Sequence, residues 1–123
     1  VNVISTSVYE PIPNLGVSNT VRGAVASWAK TLSRELGADG ITVNNVLPGY
    51  TRTRRLDQIL AERSAASGKP QAEIASAMLA SVPAGRFADA AEVGSVVAFL
   101  CTDAAAYVNG QSLAADGGRM QSI

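Results

Sequence analysis

Hydrophobic positions change their spacing several times along the chain, and each change predicts an element. "VNVIS" is a β-branched run with no helical period, which predicts a strand over 1–5 buried on both faces. "YEPIPNLG", with two prolines, Asn14 and Gly16, reads as a loop. Val21, Val25, Trp28, Leu32 and Leu36 then fall at i, i+4, i+7, i+11 and i+15. That single apolar stripe predicts a helix over 17–36 packed on the strands, with Gly37 where a C-cap glycine belongs. "ITVNNVL" predicts a second strand, at 42–47, ended by Pro48 and Gly49. "LDQILAER" and "QAEIASAML" predict two short helices separated by "SGKP". Asp89 and Glu92 form the Asp-x-x-Glu start of another, whose stripe is Val93, Val96, Val97 and Leu100. A last strand is expected at 111–115, before a glycine-rich end.

The order is therefore β–α–β–(α–α)–α–β. Continuous apolar strands separated by helices imply parallel pairing through right-handed crossovers. Three parallel strands with both edges bare make a poor independent domain. The expected fold class is α/β: one half of a Rossmann-like doubly wound parallel sheet. In such a sheet ligands bind beyond the carboxyl ends of the strands. Ser5 and the pair Pro48-Gly49 close the first two strands, so their loops are expected to share one crevice.

Composition narrows the chemistry. The 123 residues suffice for one modest domain, and 47% apolar with 16% charged residues is ordinary for a globular chain. Ten basic and ten acidic residues cancel, so no global field attracts nucleic acid or an anionic membrane. No apolar run approaches a membrane span of roughly 18 residues. The absence of histidine removes His-based triads and His metal sites, and with a single cysteine no metal centre is expected. Cys101, in the apolar "VVAFLC", reads as a buried thiol in a reducing compartment, hence a cytoplasmic protein. The first residue is Val1 rather than Met, consistent with a processed, cut or partial chain.

Five stretches carry a resemblance. "VNVIS", "AKTLSRELGADGITVNNVLPG", "YTRT", "VPAGRFADAAEVGSVVAFLCTDAA" and "YVNGQSLAADGG" follow one another in the order and spacing of the short-chain dehydrogenase/reductase family. They resemble its C-terminal half, as found in bacterial enzymes of the 3-oxoacyl carrier-protein reductase type. The resemblance implies an NAD or NADP cofactor, a small carbonyl or alcohol substrate interconverted by hydride transfer, and a homodimer or homotetramer. It also implies a missing half, because no G-x-G-x-x-G occurs in this chain to cradle a dinucleotide's phosphates.

Run back from "AKTLSREL", the family's Tyr-x-x-x-Lys motif falls on Ser18 and Arg22, and its serine falls on Ser5, with Thr6 one place away. Within "PGYTRT" the family's nicotinamide-lining positions are Pro48, Gly49, Thr51 and Thr53. Each position also has a plain structural reading. Ser18 suits a helix N-cap or a polar first turn, Arg22 a surface charge, Ser5 a strand end and Pro48-Gly49 a strand terminator. The arginines of "RTRR" suit an anionic substrate, or Asp57 and Glu62 nearby. Two readings of the whole stay open: an oxidoreductase with altered proton chemistry, or a catalytically impaired relative or fragment serving cofactor binding or assembly.

Overall fold

The computed structural model describes residues 1–122. Its elements in chain order are strand β1 (Asn2–Val3), helix α1 (Gly16–Glu35), strand β2 (Asn45–Pro48), helices α2 (Arg54–Ser67), α3 (Gln71–Leu79) and α4 (Ala90–Leu100), and strand β3 (Ser112–Ala115). The sheet order is β1-β2-β3 and both pairings are parallel. Asn2 pairs with Asn45, and β2 runs beside β3 from Asn45↔Ser112 to Pro48↔Ala115. The α/β class and the parallel sheet are those expected, and the structural relatives described below share the fold.

The hydrophobic core lies where α4 covers β2 and β3. Val46, Val93, Leu100 and Ala105 form the buried cluster, with Val96, Val97, Val108, Leu113 and Ala115 against it. The Val93–Leu100 stripe thus faces the sheet. Its helix opens on the expected capping box, the Glu92 carboxylate accepting from the Asp89 N–H at 2.8 Å.

The buried polar groups leading into β2 are satisfied through asparagines. Asn44 donates to the Val108 carbonyl at 2.7 Å and accepts from the Gln111 N–H at 3.0 Å. Asn109 accepts from the Val43 N–H at 2.9 Å and donates to the Ser33 carbonyl at 2.8 Å, which ties α1 to the sheet. A buried amide without these partners would cost about 1–3 kcal/mol.

Four expectations need correction. The first strand is only two residues long and is not buried on both faces: Val1 and Val3 are 46% and 51% exposed. Among the described residues it pairs only with β2, which makes it an edge strand. The α1 stripe is rotated from the expected one. Ala29 and Ser33 are the buried positions, whereas Val17, Val21 and Trp28 are 83%, 54% and 56% exposed. Small residues thus take the fully buried positions, while Val25, Leu32 and Leu36 of the expected stripe are half-buried. Gly37 begins a 3-10 turn after the C-cap residue Leu36, and the left-handed residue is Gly40, at φ +74°. Cys101 is exposed, because it follows Leu100 at the C-cap of α4 and lies about 100° round from that buried side chain.

Candidate functional site

Beyond the carboxyl ends of β1 and β2 lies a cleft of about 410 Å³. Ser5, Ser18, Arg22, Pro48, Gly49, Thr51 and Thr53 all line it. The cleft therefore brings together all seven positions singled out in the sequence.

Local structure explains how each arrives there. Ser5 ends the extended segment and caps a 3-10 turn over Thr6–Val8, its hydroxyl accepting from the Ser7 N–H at 3.1 Å. Thr6, the neighbouring candidate, is buried, and its hydroxyl accepts from Arg119 at 3.3 Å. Ser18 is exposed in the first turn of α1, whose N-cap is Leu15. It is thus a first-turn residue and not the cap. One turn further on, Arg22 reaches over β1 and donates to the Val3 carbonyl at 3.3 Å.

Gly49 is required by space and not by φ. A Cβ there would lie 2.6 Å from the Asp116 Cα, where the turn after β3 presses on the end of β2. The Gly49 N–H donates to the Ala115 carbonyl at 2.9 Å, extending the ladder past Pro48. The following loop is held to the start of α4: Ala88 donates to the Tyr50 carbonyl at 2.9 Å and Arg52 donates to the Ala88 carbonyl at 2.8 Å. Thr53 caps α2, its hydroxyl accepting from the Leu56 N–H at 3.4 Å, and the Thr51 hydroxyl donates to the Gly49 carbonyl at 3.1 Å. Both threonines line the cleft from a loop held by these bonds.

Apart from Arg55, one of the "RTRR" arginines, the rest of the lining escaped sequence reasoning. Val3, Ile4, Leu56, Ile59, Ala90 and Val93 make the cleft largely apolar, and Tyr50 and Arg55 add polar groups. The spacing of Arg55, Leu56 and Ile59 puts them on neighbouring faces of α2, which was the available signal. Tyr50 meets Phe87 edge-on with ring centroids 6.2 Å apart, and the Arg119 guanidinium sits 4.9 Å from its ring centre.

Behind the cleft, Arg86 grips Glu92 with two parallel hydrogen bonds of 2.7 and 2.6 Å. These bonds, then the Asp89 N–H, hold the Glu92 carboxyl well below the usual range, at about 2.

A family model described as enoyl-(acyl carrier protein) reductase matches residues 1–120. The chain belongs to the short-chain dehydrogenase/reductase family. Among relatives in this family, the NADPH-dependent reductase BacG of Bacillus subtilis is 32% identical over all of this chain and 48% of its own length. The 3-oxoacyl-[acyl-carrier-protein] reductase FabG of Vibrio cholerae is 35% identical over 91% of this chain and 42% of its own. Of solved structures, YwfH, an NADPH-dependent reductase involved in bacilysin biosynthesis, superposes with a TM-score of 0.92 at 30% identity. That match covers 99% of this chain and 46% of YwfH. An actinorhodin polyketide ketoreductase crystallised with NADPH gives the same TM-score and identity over 98% and 46%. The chain thus spans about half the length of the short-chain dehydrogenase/reductases it matches.

Proposed function

We propose that this chain is the substrate-side half of a cytoplasmic NADP- or NAD-dependent oxidoreductase acting on a carbonyl/alcohol pair. The observation that carries the reading is the convergence of Ser5, Ser18 and Arg22 with the Pro48–Thr53 loop on one cleft. The residues fit a nicotinamide riboside: an apolar floor of Ile4, Pro48 and Val93 suits a flat ring, and Arg22, Thr51 and Thr53 suit hydroxyl and amide groups. An adenosine site is not included, because the chain has no glycine-rich phosphate loop.

When bound, the nicotinamide supplies or accepts the hydride. In this reading Ser5 donates a hydrogen bond to the substrate carbonyl and polarises it. Arg22 adds positive potential and holds ribose hydroxyls. Ser18 occupies the place of the family's tyrosine, whose phenol ordinarily protonates the alkoxide with a pKa near 10 lowered by the adjacent lysine. A serine hydroxyl is shorter and far more basic than a phenol, so it hydrogen-bonds but donates a proton poorly. Arg22 cannot relay one, since its pKa exceeds about 12. Binding should therefore survive better than turnover.

The test is reduction of 3-oxoacyl esters and simple ketones by full-length protein containing this chain. The natural sequence is expected to turn them over slowly, and Ser18→Tyr with Arg22→Lys to raise the rate by about 10²–10⁴. Brisk turnover that is unchanged by Ser18→Ala would show that another group supplies the proton.

Assembly belongs to the same proposal. The outward Val17, Val21 and Trp28 of α1 form an exposed apolar face suited to self-association as a homodimer or homotetramer. Trp28→Glu is expected to shift the sedimentation profile toward monomer, and a monomeric natural protein at micromolar concentration would sink the idea.

A further inference from the structure

The charge of the cleft is one-sided. Its lining includes the guanidiniums of Arg22 and Arg55 and no aspartate or glutamate. The adjoining cavity of about 350 Å³ differs: there Arg86 is paired with Glu92, and Asp116 adds a second carboxylate to the lining. Arg22 makes no ion pair among the described residues, its contact being the Val3 carbonyl. Among the described residues Arg55 has only Gln58 at 3.5 Å and Glu62 at 3.8 Å, and both members of the Glu62 pair are mostly exposed. A contact so long and so wet holds a guanidinium weakly. Helix stability does not account for it either, because Arg54 and Arg55 open α2 at the end where its dipole disfavours cations.

The other wall components are apolar: Val3, Ile4, Leu56, Ile59 and Val93. Such a cleft suits a molecule with a short apolar stem, a carbonyl near Ser5 and an oxyanion near the start of α2. Resting on the reductase reading above, which already engages Arg22 with the ribose, we infer that the substrate is a keto acid whose carboxylate is held by Arg55. A planar guanidinium matches a carboxylate with two parallel N–H···O bonds, which an ester cannot reproduce.

A phosphate of the dinucleotide is the other source of an oxyanion, and the test separates the two. Full-length protein saturated with NADP⁺ is titrated with levulinate and with methyl levulinate, two ketones differing in the carboxylate, with binding read by saturation-transfer NMR. NADPH affinity is measured separately. Levulinate is expected to bind about tenfold tighter than its ester. Arg55→Gln should remove that preference, leave the ester within about twofold and leave NADPH affinity unchanged, while Arg55→Lys restores part of the preference. Equal binding of acid and ester by the natural protein overturns the inference. So does Arg55→Gln weakening NADPH while the acid keeps its advantage, which would assign the guanidinium to the cofactor. An Arg55-dependent acid preference without NADPH consumption on any ketone, even in the Ser18→Tyr, Arg22→Lys protein, supports the anion subsite and overturns the reductase reading alone.

Discussion

The two sides of the cleft stand on unequal foundations. The loop wall, from Pro48 to Ile59 with Ala90 and Val93, rises from β2, whose Val46 lies under α4 and whose Leu47, on the opposite face, is equally buried. The wall holding Ser5, Ser18 and Arg22 rests on a two-residue strand at the sheet's edge and on the first turns of α1, where Val3, Val17 and Val21 are exposed. A parallel strand is buried only when neighbours flank it and helices cover it. The same β-branched composition therefore yields a core in one place and a bare edge in another. What separates the two strands is position in the sheet and not residue type.

This contrast can be broken or sharpened by substitution. Leu47→Ala is expected to cost about 2–5 kcal/mol by denaturant unfolding, whereas Val3→Ala should cost less than about 0.5 kcal/mol. Similar losses at the two sites would erase the distinction. Gly49→Ala forces a Cβ against the Asp116 backbone and should cost about 1–3 kcal/mol, with the shift felt at the cleft floor. Thr53→Ala removes the α2 cap, for about 1 kcal/mol, and should loosen the loop wall without touching β1, as read by amide exchange over 54–58.

The smallest effect concerns Glu92. Its folded pKa, about 2, lies below its unfolded value, so as pH falls the unfolded state takes up the proton first. The contribution of the Arg86–Glu92 pair is fully present above the usual glutamate range, roughly pH 4.3, and is lost as pH falls from there through about 2. Glu92→Gln should flatten the acid limb of a stability–pH profile over that window, and an unchanged slope would show that the pair is not formed in solution.

Element order, parallel pairing, the α4 stripe and its capping box were legible because each rests on local spacing. The face of α1 was not. Apolar spacing marks a stripe but does not say whether it meets the molecule's own sheet, and here the close-packing positions are the small Ala29 and Ser33. The exposure of Cys101 was equally hidden, since an apolar neighbourhood in sequence does not fix which way the residue after Leu100 turns. At the cleft, motif spacing reached the strand-end and first-turn positions. Arg55 was legible only as one of the "RTRR" arginines suited to an anion, and the entry of Ile59 into the cleft was not legible, because the direction of both depends on how α2 folds back against α3 and on the left-handed Gly68 that ends α2.

Gly49 has a consequence in time as well as in space. With the backbone of Asp116 at contact distance, the end of β2 and the turn after β3 cannot move past one another. Gly117 in that turn is in turn gripped by the Ala84 N–H, which donates to its carbonyl at 3.0 Å. Opening of the cleft floor is therefore expected to carry the Asp116–Gly118 turn and the segment before α4 with it, so that the amides of Gly49, Ala84 and Gly117 exchange together while those of the α2–α3 hairpin exchange independently.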